Sequence, residues 1–137
     1  MVTFLPSILR ASKSRSSILD MQTFRDLIVW QKAIELAHQT YILTNQFPTE
    51  EKYGLSSQMQ RAAVSIPSNI AEGKLRGSDK EFLRFLRIAF GSGGELETQI
   101  EIAKRLPKMQ ECDYLSVEAL LDEVMRMLNV IISKAKA

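Results

Sequence analysis

The chain has 137 residues, 45% of them hydrophobic, and a formal net charge of +2. That length supports one domain around one core. The single cysteine, Cys112, excludes an internal disulfide and fits a reducing cytoplasm. No apolar run approaches the ~18–20 residues that cross a bilayer, so no membrane association is expected.

The charge is unevenly placed. Residues 1–20 carry Arg10, Lys13 and Arg15 against Asp20, and the rest of the chain sums to zero. Basicity is thus a property of the first segment, and alone it does not argue for nucleic-acid binding. That segment, rich in Ser and basic residues, has no sustained period and lacks the continuous apolar stretch of a signal peptide. The reading is a disordered tail over residues 1–20, or a start placed too early with Met21 as the natural first residue. Its alternative is a basic arm that touches phosphates. Residues 21–137 form the folded domain.

The first helix is expected from about Thr23 to Gln46, with Leu27, Trp30, Ile34, Ala37 and Tyr41 stepping +3 and +4 along its buried face. Phe47-Pro48 ends it. The second runs from about Glu50 to Glu72, with Leu55, Met59, Ala62, Ile66 and Ile70 inward, a bend at Pro67, and Gly73 as the residue just past its end. The third opens on a capping box, Ser78-Asp79-Lys80-Glu81. From there Phe82, Leu86, Ala89, Gly93, Leu96, Ile100 and Ala103 hold a 3.5-residue period until Pro107, a helix roughly 40 Å long. The fourth, from about Asp113 to Lys134, repeats the pattern with Val117, Leu121, Val124, Leu128 and Ile131. Nothing reads as a strand. Four helices of one period on short loops predict an all-α, up-down-up-down, left-handed four-helix bundle.

Apolar residues remain outside these stripes. Val29, Ala33, Leu36 and Leu43 on the first helix, and Phe85, Ile88 and Phe90 on the third, predict a second buried surface. Copies of the same chain would supply it, giving a homo-oligomer.

Gly91-Ser92-Gly93-Gly94 lies mid-helix with the apolar period unbroken, so it does not fit a phosphate loop, which follows a strand. Interior glycine costs ~1 kcal/mol against alanine. These four residues are therefore assigned to close helix packing, inside the bundle or at an oligomer interface. Glu35-Leu36-Ala37-His38 has the E-x-x-H spacing of di-iron bundles, but the chain holds one histidine, and both side chains fall on an outer stripe with Gln31. Neither a Cys112–His38 pair nor any serine forms a nucleophile constellation. No catalytic residue, metal or cofactor is expected.

The candidate binding residues are basic. Arg61, Lys74, Arg76, Lys80, Arg84 and Arg87 face Glu72, Asp79 and Glu81 over one stretch. Lys80, Arg84 and Arg87 step +4 and +3 on the third helix, opposite its seam. The plain reading is a solvated face; the functional one is a phosphate-binding patch, repeated by oligomer symmetry into a ring. No base-reading motif accompanies it, so recognition would rest on shape and charge.

Three segments carry a resemblance over about Phe24 to Ile132: FRDLIVWQKAIELAHQTY, FPTEEKYGLSSQMQRAAVSIPSNIAEG and GSDKEFLRFLRIAFGSGGELETQ. With its VWQ helix start, Tyr53-Gly54-Leu55 turn, Ser65-to-Gly73 run and Gly91-Ser92, the chain resembles the bacterial four-helix-bundle proteins encoded in intervening sequences of 23S ribosomal RNA genes. Relatives of that family include the accessory variability determinant of diversity-generating retroelements. The resemblance implies a homopentameric, barrel-like ring, and partners that include RNA or an RNA–DNA complex and a reverse transcriptase. It offers no catalytic residues to carry over. Two functions are expected from it: a non-enzymatic nucleic-acid-binding oligomer, or a protein–protein adaptor with no nucleic-acid contact.

Overall fold

The computed structural model describes residues 23–136; the expectations for residues 1–20 lie outside the described residues. Four α-helices follow one another, α1 (Ile28–Thr44), α2 (Leu55–Leu75), α3 (Asp79–Arg105) and α4 (Leu115–Lys136), with no strand among the described residues. Each packs on its neighbours in sequence, and α1 also packs on α4, so the four close a square. Short connections between helices that pack along their length reverse the direction at each turn. The result is a four-helix bundle.

Two helices start later than the sequence suggests. A 3-10 turn at Phe24–Asp26 precedes α1, and Leu27 between them is extended at φ −74°, ψ 124°. A second 3-10 turn at Thr49–Glu51 precedes α2, where the Glu51 carboxylate accepts the first N–H, that of Leu55, at 3.2 Å. Helix α2 then continues through Pro67, which is buried, and past Gly73 to Leu75. Gly73 is therefore not the residue beyond the helix end. That role belongs to Gly77, at φ 83°, the left-handed conformation glycine adopts at no steric cost.

The buried stripe of α1 also differs from expectation. Val29, Ala33, Leu36, Thr40 and Leu43 face the core, while Ile34 and Tyr41 stay 43% and 48% exposed. Both stripes share the +4/+3 spacing, so the period alone does not choose between them. Thr40 is tolerated inside because its hydroxyl donates to the Leu36 carbonyl at 2.8 Å, leaving no polar group unpaid. The seams of α3 and α4 match expectation from Leu86 to Ala103 and from Val117 to Leu128, whereas Phe82 and Ile131 are half-buried and Phe85 is buried.

The far end is tied by polar contacts. Asp113 N–H donates to the Gln46 side-chain oxygen at 2.9 Å, and Lys108 pairs with Glu50 at 2.6 Å. Buried Tyr114 donates its hydroxyl to the Met109 carbonyl at 2.8 Å. Burial, then Cys112 and Glu118, push its phenol up to about 12.

Candidate nucleic-acid interface

The turn between α2 and α3 is built by three small residues. Gly77 reverses the chain, and Ser78 caps α3 by accepting the Glu81 N–H at 3.1 Å. Gly73 lets the two helices close: a Cβ there would stand 2.7 Å from the Phe85 Cβ and 3.2 Å from the Phe82 ring. The two phenyl rings brought in by this approach carry cations on their faces. Lys74 lies 5.5 Å from the Phe82 centroid, and Arg76 and Arg84 lie 5.0 and 4.9 Å from that of Phe85. Such contacts contribute about 0.5–1 kcal/mol at exposed sites and fix where the charge stands.

Two of the three carboxylates in this stretch, Glu72 and Glu81, are engaged within the patch, while Asp79 is exposed and makes no ion pair among the described residues. Arg76 pairs with Glu72 at 2.9 Å and with Glu81 at 3.8 Å, and Arg84 reaches the same Glu81 at 3.7 Å. The side chain of Glu81 thus serves two guanidinium groups. Among the described residues, Lys80 and Arg87 have no carboxylate within ion-pair distance, and both are exposed. Five of the six predicted cations gather at this corner. Arg61 does not: it sits fifteen residues before Arg76 on α2, about 22 Å along the helix axis.

Charge is segregated along the whole bundle. The Ser65 and Ser92 hydroxyls meet at 2.8 Å and mark one level of α2 and α3. Gln60, five residues before Ser65 on α2, meets Thr44, which sets that level near Gln39 on α1. Gly93 against Met125 carries it to α4, and the Lys32–Glu123 ion pair at 3.5 Å bridges across it. On the side of the α2–α3 turn (residues 23–38, 66–91 and 127–135) stand eight Lys and Arg against five Asp and Glu. On the other side (residues 39–65 and 92–126) stand six against ten. A near-neutral bundle therefore has one basic end and one acidic end.

The glycine run divides by role. Gly93 is buried, and a Cβ there would stand 2.2 Å from the Met125 sulfur, so it serves packing inside the bundle. Around Gly91 and Gly94 a Cβ would meet nothing within 4 Å. Ser92 links α3 to α2 through Ser65, whose carbonyl and hydroxyl also accept from Asn69. All four lie well inside α3, where their backbone N–H groups belong to the helix ladder and cannot cradle a phosphate.

Residues 25–130 match the model of the family described as 23S rRNA-intervening sequence protein. The chain belongs to this family. No curated protein matches it. Glu35 and His38 are exposed. No group of three His, Cys, Asp or Glu side chains able to hold a metal ion occurs among the described residues. No helix among them is long and apolar enough to cross a membrane.

Sequence reasoning did not foresee Gly73, Phe82 and Phe85 as the platform of the basic corner. Its signal was present: a glycine nine and twelve residues before two phenylalanines, across a Gly-Ser turn.

Proposed function

We propose that this protein is a non-enzymatic, oligomeric binding protein whose basic end contacts the phosphates of structured RNA or of an RNA–DNA complex. The observation that carries the reading is the axial segregation of charge, with Lys80 and Arg87 unpaired at the α2–α3 corner and Lys74, Arg76 and Arg84 held on phenyl faces. Cations fixed on a rigid corner lose little rotamer freedom on meeting a backbone. Copies sharing one orientation repeat the corner around a common axis, and the family resemblance supplies five as their number. Exposed Ile34, Tyr41, Val64 and Leu75, with the open space at Gly91 and Gly94, support assembly. Charge reversal by Arg84→Glu with Arg87→Glu tests the reading. Loss of RNA binding with the oligomer intact supports it; undiminished binding contradicts it.

A second reading is favoured by the same apolar faces: an adaptor whose partner is a protein, such as a reverse transcriptase. Under it, the double reversal leaves partner capture unchanged and the wild-type protein binds no nucleic acid even at low salt.

A further inference from the structure

We propose that the acidic end of the bundle is a docking surface for the basic end of a second copy, so that units of this protein associate end to end. The proposal rests on the charge segregation and does not require that nucleic acid be bound. Glu97 and Glu101 on α3 have no cation within ion-pair distance among the described residues, as Lys80 and Arg87 have no anion. Arg87 and Glu101 are fourteen residues apart on one straight helix, about 21 Å. The Debye length is about 8 Å at physiological ionic strength, so the two ends do not neutralise one another within a chain. Each therefore presents its own field to solution, and each is the complement of the other.

The acidic end also offers apolar contact. Between α3 and α4, Ile100, Leu121 and Met125 floor a groove of about 150 Å³ whose rim is Glu97, Glu101, Glu118 and Asp122. Glu118 is paired with Lys104, and Asp122 with Arg126 at 3.0 Å, which leaves Glu97 and Glu101 outside any ion pair at that rim, with the Glu101 charge also acting on Lys104. A lysine or arginine stem can lie on the floor with its charge at the rim. Lys80 and Arg87 of another copy are side chains of that kind. The contact joins two different surfaces, so it leaves a free basic end and a free acidic end on every assembly. If the basic end also meets phosphates, nucleic acid and the second copy compete for it; that consequence alone depends on the function proposed above.

The test uses the purified full chain, without nucleic acid, by sedimentation velocity at about 1 M and about 0.01 M salt, where the Debye length goes from about 3 to about 30 Å. Two variants are prepared separately, Glu97→Lys with Glu101→Lys, and Lys80→Glu with Arg87→Glu, each checked for helix content by circular dichroism. Wild type is expected to gain mass at low salt over the unit seen at high salt. Each variant alone is expected to lose that gain. Their equal mixture should regain it, but only to pairs of units, because the basic end of the first variant and the acidic end of the second are both intact. No gain in wild type, an undiminished gain in either folded variant, or a mixture that stays apart would each overturn the proposal.

Discussion

Gly93 of α3 lies against Met125 of α4 so closely that a Cβ would stand 2.2 Å from the sulfur. Two residues away on the same helix, Gly91 faces open space. Gly93→Ala should therefore destabilise the bundle by about 1–3 kcal/mol through overpacking. In the background of Met125→Ala, itself destabilising, the Gly93→Ala cost should shrink, a coupling of about 0.5–3 kcal/mol. Gly91→Ala and Gly94→Ala should instead stabilise it by up to about 1 kcal/mol each, from helix propensity. Urea denaturation of the five variants, Met125→Ala alone included, checks the contrast, and equal effects at all three glycines would refute it.

The α2–α3 turn makes its own prediction. Gly77 is held at φ 83°, where a side chain costs about 1–2 kcal/mol, and nothing within 4 Å obstructs a Cβ. Gly77→Ala should lose about that amount through the backbone alone. Ser78→Ala, which removes the acceptor for the Glu81 N–H, should lose about 1 kcal/mol. Both are read from chemical denaturation. Because they move the basic corner, each should also weaken any phosphate contact more than its stability change alone implies.

Tyr114 links structure to alkaline pH. Its folded pKa is raised to about 12, first by burial, against about 10 for an unfolded tyrosine. A raised folded pKa means that the native state holds the proton more tightly. The associated stability is whole below pH ~10 and is lost as pH rises from there through ~12. At 1.36 kcal/mol per unit the loss is on the order of 2–3 kcal/mol. Tyr114→Phe should cost about 1 kcal/mol at neutral pH, from the bond to the Met109 carbonyl, and remove most of that alkaline loss. Denaturation midpoints of both proteins between pH 9 and 12 check this, and a wild-type midpoint that falls no more steeply than that of Tyr114→Phe would contradict it.

Much of the fold was readable because particular residues left no choice. Ser78 and Pro107 bound α3, and from Leu86 to Ala103 its +4/+3 steps admit one buried face. On α1 two stripes share that spacing. Thr40 counts as polar in a sequence, yet its bond to Leu36 lets it be buried and turns the helix about one residue from the expected phase. The same limit governs the site. Lys80, Arg84 and Arg87 share a face by spacing within one helix, and that was legible. The pairing of Arg76 with Glu81 depends on how two helices meet at Gly73, which no period encodes, whereas the Arg84–Glu81 pair and the remoteness of Arg61 are set by spacing along a single helix.

The measurement closest to the central claim is fluorescence anisotropy of the protein with a structured RNA at several salt concentrations, for wild type and for Lys80→Glu with Arg87→Glu. If the basic end contacts phosphates, log affinity falls linearly with log salt, and the variant binds more weakly with a slope smaller by roughly 1–2. Wild-type binding that is absent even at low salt, or a slope that the variant leaves unchanged, would contradict the claim.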